Sequence, residues 1–248
     1  MFLNRLSSAI RSLPFVYPFT SEGRYEEALA RARHYCSTLP QVVAEPVFVK
    51  VGANDGITGD PFSEIFLADT RWKGLLIEPV PYCFDRLKTT FRDSARFSLE
   101  QVAIGGTAGE ATFYYVDQRA SENVPDLPDW YDQLGSFDKN HILKHMDGVL
   151  APFIIECKVE VLRLTDVLKR NGVGNVHLLH IDTEGNDFEV LKSLDLGDQR
   201  PTAIFIEHKH LPADQKMEMV SLLRKHGYCV HDCGGDYFAV NKDAEKRL

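Results

Sequence analysis

The stretch VFVKVGANDG, residues 47–56, decides the fold. Val47, Phe48, Val49 and Val51 give it the β-branched and aromatic composition of a strand covered on both faces, as parallel strands are. The run stops at Gly52, and a turn holding Ala53, Asn54 and Asp55 closes at Gly56. Glycine adopts backbone angles that other residues avoid, and it lets another group come close. Two more apolar runs stop at acids. GLLIEPVP (74–81) ends its run at Glu78, and HLLHIDTEGND (177–187) places Asp182 and Glu184 after its own. Three strand ends of this kind predict the carboxyl rim of a parallel α/β sheet, where such sheets bind nucleotides.

Working outward, strand and helix patterns alternate. Upstream, residues 22–39 read as a polar-faced helix stopped by Pro40. Downstream come a helix over 61–69 opened by Pro61, a strand over 74–78, a helix over 81–92 and a strand over 97–104. A glycine turn at 105–109 leads to a strand over 111–116. Residues 117–152 are rich in Pro, Asp, His and aromatics without long periodic runs. They read as an inserted lid or substrate loop with one short helix near 138–146. Alternation returns with a strand over 153–162 and a helix over 164–172, for which Thr165 is the expected cap. A strand over 176–182, a helix over 188–194, a strand over 202–208 and a helix over 213–226 follow. YCVHDCGGDYFAVN (228–241) reads as two strands around Gly234-Gly235. The alternation predicts an α/β domain with helices on both faces of a parallel sheet. The terminal hairpin adds an antiparallel strand at or near its edge. The domain is expected over 46–248, behind an N-terminal helical extension over 1–45.

Composition excludes several classes of function. The balance of 28 basic against 36 acidic residues, a net charge of −8, opposes nucleic-acid binding, which needs a positive surface for phosphate. Cys36, Cys83, Cys157, Cys229 and Cys233 are odd in number and lack a CxxC pair. That predicts thiols in a reducing compartment, the cytoplasm, instead of a disulfide framework or zinc knuckle. No run is long and apolar enough to insert stably in a membrane. Phe2, Leu3, Leu6, Ile10 and Leu13 fall at helical spacing beside Arg5 and Arg11. They read as a helix packing its apolar side on the domain or a partner, ahead of a membrane-surface or targeting reading.

The first turn departs from two well-known phosphate loops. Positions two and five after Gly52 are Asn54 and Ile57, so a nicotinamide GxGxxG is not formed, and no GK[ST] follows for a Walker loop. Glu78 stands 22 positions after Gly56 at the end of the next strand. An acid there accepts hydrogen bonds from both hydroxyls of a ribose.

In this order, VGANDG, IEP and IDTEGND resemble FkbM-type methyltransferases, which use S-adenosylmethionine. The resemblance runs from about residue 46 to 241 and is most specific at IDTEGND followed by FEVLKSL. It implies a Rossmann-like class I methyltransferase fold, with a seven-stranded, mostly parallel sheet whose antiparallel strand comes from the final hairpin. It implies that Gly52, Ala53, Asn54, Asp55 and Gly56 lie against the methionine and ribose of the cofactor. Glu78 would hold the ribose hydroxyls, and the segment from Gln101 through Ala103 to Ile104 would border the adenine. Such enzymes commonly carry an acid where this chain has Lys50, which is expected to pair with Asp182 or Glu184. Asp182 and Glu184 would face the methyl donor and acceptor, with Asp187 on the same rim.

Methyl transfer is an in-line displacement, and an alcohol acceptor must lose its proton near the transition state. The candidate catalytic residues are Asp182, Glu184, His208 and His141. His141 and His145, four apart, are expected to share a helix face, and His180 is expected in the core. Ser136 and Phe137 are candidates to line the acceptor pocket. Asp182, Glu184, Asp187, Glu207, His208 and His210 offer metal ligands, but no HxxxH or HExxH spacing is present and no metal is expected. The expected acceptor is a hydroxyl of a sugar, glycolipid or secondary metabolite, a small molecule or glycan. The alternatives are an NAD-dependent oxidoreductase and a non-catalytic nucleotide-binding or scaffold module.

Overall fold

In the computed structural model, residues 21–245 are described, so the helix expected over residues 2–13 lies outside them. Ten strands form two sheets. The main sheet takes β1 (Val47–Val51), β2 (Lys73–Ile77), β3 (Phe97–Glu100), β7 (Leu178–Ile181), β8 (Ala203–Glu207), β9 (Tyr228–Asp232) and β10 (Asp236–Asn241). Its order is β3-β2-β1-β7-β8-β10-β9, with β10 antiparallel to both neighbours and the other ladders parallel. The hairpin thus inserts its second strand into the sheet and leaves its first at the edge. This is the Rossmann-like, seven-stranded α/β fold expected from the sequence.

Both faces are buried because apolar side chains alternate along the strands. Val49, Val51, Leu75 and Ile77 join one core, under helices α6 (Leu164–Arg170), α7 (Asp187–Ser193) and α8 (Ala213–Lys225). Phe48, Leu76 and Phe205 join the other, under α1 (Ser21–Thr38), α2 (Ser63–Ala68) and α3 (Pro81–Thr90). The helical segment ahead of residue 46 is built into this second core. Ala32, Tyr35 and Cys36 are buried there, and the Tyr35 hydroxyl donates to the His177 carbonyl at 2.9 Å. No helix among the described residues is long and apolar enough to cross a membrane, and no disulfide joins the five cysteines.

Three expectations of local structure change. The single strand over 97–104 is two: β3 ends at Glu100, and β4 (Ala103–Ile104) turns off into a second sheet. The strands expected over 111–116 and 153–162 belong there too. β5 (Gly109–Val116) pairs antiparallel with β6 (Ile154–Leu162), which also pairs with β4. Periodicity marks a strand without naming its partner, so both sheets look alike in sequence. Thr165 does not cap α6, whose cap position is Arg163. Its hydroxyl instead donates to the Ser193 carbonyl at 3.0 Å and ties α6 to α7.

The insertion between β5 and β6 is short helices around its own small core of Val116, Ala120, Leu134, Ile142 and Leu150. These include α4 (Ala120–Asn123) and α5 (Lys139–Leu143). It is fastened to the first-turn loop. Asp132 pairs with Arg86 of α3 and accepts from Asn54 Nδ2 at 3.3 Å, while Gln133 donates to the Thr58 carbonyl at 2.8 Å.

Candidate active site at the carboxyl rim

A cleft opens at the carboxyl ends of β1, β2 and β7, closed on one side by the insertion. Its floor begins at Gly52, whose φ of +77° favours glycine. A Cβ there would lie 1.7 Å from the Asp182 carbonyl oxygen, so the two strand ends approach this closely only through glycine. The Gly52 and Ala53 N–H groups both donate to the Ile77 carbonyl at 3.0 Å. Asn54, also left-handed at φ +48°, then reaches the cleft.

The expected cofactor residues divide by location. Gly52, Asn54, Glu78, Ala103 and Asp182 line the cleft, and Val102 and Ile104 flank Ala103 there. Gln101 is exposed. Ala53 is buried in the second core. Asp55 turns its carboxylate onto the Ile57 and Thr58 N–H groups at 2.9 and 2.8 Å, folding the loop instead of facing the cleft. Gly56 is required for packing: a Cβ there would meet the Phe91 ring at 2.5 Å.

Glu78 is buried, yet both its oxygens have partners. Oε2 accepts from the Asn54 N–H and Oε1 from the Val80 N–H, each at 2.8 Å. Burial pushes its carboxyl up to about 7, against the pull of those two hydrogen bonds. A carboxylate has about four lone-pair sites, so about two remain for hydroxyls in the cleft. Asn54 Oδ1 is buried without a partner among the described residues. Spare acceptors at Glu78 and Asn54 fit the diol and ammonium donors of the nucleoside and methionine halves of S-adenosylmethionine.

Lys50 pairs with Asp60, and not with Asp182 or Glu184 as expected. Both side chains are buried, and Asp60 also accepts from the Phe62 and Ser63 N–H groups at 2.7 Å. Burial raises the Asp60 carboxyl, but Lys50 and His180 outweigh it and hold it well below the ordinary range. His180 is a core residue, its Nδ1 3.4 Å from Asp60 and its ring edge-on to Phe62 and Phe205. The spacing from Lys50 to Asp60 crosses a turn and a loop, so no periodic pattern announces the pair.

At the other end of the cleft, charges converge. Asp182 and Glu184 line it. Glu184 has a φ of +54°, a conformation rare outside glycine and asparagine. His141 Nε2 of α5 and His210 Nε2 of the loop after β8 lie 3.0 and 3.2 Å from Glu184 Oε2. Glu207 Oε1 is 3.6 Å from the same His210 nitrogen, and Glu207 Oε2 is buried without a partner among the described residues. Burial, then Asp182 and Glu184, push the Glu207 carboxyl up to about 10. His145 does stand beside His141, ring centroids 5.1 Å apart, and burial lowers it and His210.

Asp187 holds this loop from beneath. It is fully buried and accepts from Thr183 N–H at 2.8 Å, Thr183 Oγ1 at 3.1 Å and Gly185 N–H at 3.0 Å. Phe137 lines the cleft, whereas Ser136 is buried and pairs its backbone with Tyr114. His208 is not brought to the cluster. Neighbours on an extended chain point oppositely, so with Glu207 toward Asp182 and Glu184, His208 stacks on Tyr237 at 3.9 Å, beside Asp232.

Asp60, Asp132, Arg86 and Phe113 belong to the site or its frame and were not expected from sequence. Asp132 and Phe113 sit in or beside the insertion, where no pattern fixes which residues turn inward.

Among known proteins, the chain is 27% identical over 195 residues to the 31-O-demethyl-FK506 methyltransferase FkbM of Streptomyces tacrolimicus. That match covers 74% of this chain and 73% of the relative. Among solved structures, the METTL16 MTase domain superposes with a TM-score of 0.45 at 11% identity, over 92% of this chain and 71% of that one. The precorrin-6y C5,15-methyltransferase of Geobacter metallireducens GS-15 gives 0.37 at 11% identity, over 85% and 87%. The methyltransferase FkbM domain matches residues 50–230, from the end of β1 through the Glu78 turn, the insertion and IDTEGND into the first strand of the hairpin, and the chain belongs to that family.

Proposed function

We propose that this protein is an S-adenosylmethionine-dependent O-methyltransferase acting on a hydroxyl of a small-molecule or glycan acceptor in the cytoplasm. The observation that carries the reading is Glu78, a buried carboxylate fixed by two backbone N–H groups with its remaining acceptor capacity turned to the cleft. The oxygen specificity is supported by the relative's description as a 31-O-demethyl-FK506 methyltransferase.

Gly52 and Asn54 would lie along the methionine and ribose, Glu78 would take the ribose hydroxyls, and Val102 to Ile104 would pack on the base. The bound cofactor supplies an electrophilic methyl group on a positively charged sulfur. The chain's own contribution is positioning and charge. Asp182 and Glu184 place carboxylates at the cleft end where the acceptor enters, which favours a cationic methyl donor and supplies a base for the proton that the hydroxyl loses. Phe113 and Phe137 line the cleft beside Val80, next to Glu78, and would exclude water from the cofactor side.

Calorimetry with S-adenosylhomocysteine and with NAD tests the reading. The expected result is binding of the former alone, weakened on the order of tenfold or more by Glu78→Ala. Binding of neither ligand, or of NAD alone, overturns it.

A further inference from the structure

We propose that His141, Glu184 and His210 form a binding site for a first-row divalent cation, with Asp182 and Glu207 on its open side. The site's use rests on the methyltransferase reading; its existence does not. The ligand atoms of His141, Glu184 and His210 all lie within 4.8 Å of one another, and so do those of Asp182, Glu184 and Glu207. Glu184 belongs to both sets. Its Oε2 is 3.0 Å from one imidazole nitrogen and 3.2 Å from the other. Donors bound about 2.1 Å from one cation lie roughly 3.0 Å apart at right angles and roughly 3.4 Å apart at tetrahedral angles. The two edges that meet at Glu184 Oε2 therefore already have the lengths of coordination-shell edges.

Three observations separate this from an ordinary polar cluster. The donors come from three distant segments: the insertion, the loop after β7 and the loop after β8. Three carboxylates face one another, and among the described residues the ion pairs of Glu184 and Glu207 are with imidazoles alone. Lys50, the nearby buried cation, is held by Asp60. Finally, Glu207 Oε2 is buried with no partner among the described residues, which a hydrogen-bonded imidazole–carboxylate arrangement leaves unexplained and a cation would satisfy. Two imidazoles with carboxylates favour the range from manganese to zinc over magnesium or calcium, which prefer oxygen alone.

A cation here sits where Asp182 and Glu184 meet the cleft, so an acceptor hydroxyl would be its next ligand and would become more acidic. The hydroxyl proton passes to the Asp182 carboxylate. The new O–C bond forms as the methyl C–S bond breaks, and the electron pair of that bond stays on sulfur.

The test uses the full chain stripped with a chelator and titrated with Mn²⁺ by electron paramagnetic resonance and with Co²⁺ by visible absorption. Each titration is run with and without S-adenosylhomocysteine. The expected result is about one ion per chain, with imidazole-type Co²⁺ bands and on the order of tenfold weaker binding in His141→Ala and His210→Ala. Homocysteine-form affinity should stay within about threefold in both variants, which also reports that they fold; His210→Gln replaces a variant that does not. Absence of ion binding to the wild-type chain overturns the proposal, as does binding unchanged when His141→Ala and His210→Ala are combined. Ion binding without S-adenosylhomocysteine binding would keep the cation site and remove the methyltransferase reading; the reverse outcome removes the site alone.

Discussion

At the β1–β2 end of the cleft, Glu78 gives each carboxylate oxygen to a backbone N–H. At the β7–β8 end, Asp182, Glu184 and Glu207 bring ligand atoms within 4.8 Å of one another, with imidazoles as the ion-pair partners of Glu184 and Glu207. The first arrangement is complete before any ligand arrives, apart from acceptors aimed into the cleft. The second crowds carboxylates together, so that burial and mutual repulsion hold Glu207 and Asp182 above their ordinary values, and a bound cation would relieve that repulsion. A site that must hold one fixed cofactor is best served by preorganised acceptors. A site that must ionise an acceptor gains from charge held in a low-dielectric place, at a cost in stability.

Lys50 stands between the two ends, and its removal has the largest expected effect. Lys50→Ala leaves Asp60 buried and ionised without its cation, a loss of about 3–5 kcal/mol in such pairs. Denaturant unfolding measures it, and Lys50→Met combined with Asp60→Asn should recover most of the loss. A Lys50→Ala loss below about 1 kcal/mol would show that the pair is not what separates the two ends.

Next is Asp187, which holds the acidic end without touching the cleft. Asp187→Asn retains one acceptor oxygen against three donors and should cost about 1–3 kcal/mol. It frees Thr183 and Gly185, the residues on either side of Glu184, so turnover should fall more than cofactor affinity does. Equal loss of both would mean that the loop serves the cofactor as much as the acceptor.

The same contrast explains what the sequence makes legible. Gly52 and Glu78 are strand-end residues whose meaning is local: a strand stops, and the next residue faces the rim. The seven strands of the main sheet are readable for the same reason. The acidic end is assembled from residues 141, 182, 184, 207 and 210, and nothing in the spacing of His141 says that it meets Glu184. Alternation along β8 does carry a signal, since Glu207 and His208 must face opposite ways. Only one of the two can therefore meet Asp182 and Glu184, and it is Glu207. Lys50 illustrates the limit: the strand pattern buries it, but its partner is ten residues away around a loop whose path no periodicity records.

The smallest effect separates the ends by pH. Glu78 titrates at about 7 in the folded chain because burial raises it from an ordinary 4.5. The folded state therefore binds more protons than the unfolded state between those values, and stability falls as pH rises through that window. From pH 6 to 8 the Glu78 share is about 1 kcal/mol, a few degrees in Tm. His145, His177, His208 and His210, each lowered first by burial, act in the opposite sense near pH 6. The share of Glu78 must therefore be read as the difference between wild type and Glu78→Gln. Affinity for S-adenosylhomocysteine should move the other way. Ribose hydroxyls donate to the ionised carboxylate, so binding should be level above about pH 7.5 and weaken by about tenfold or more by pH 5.5. Stability and affinity running in opposite directions with pH is a signature of a carboxylate that is costly when empty and satisfied when filled. Parallel pH profiles would place the ribose elsewhere, and with it the division between the two ends of the cleft.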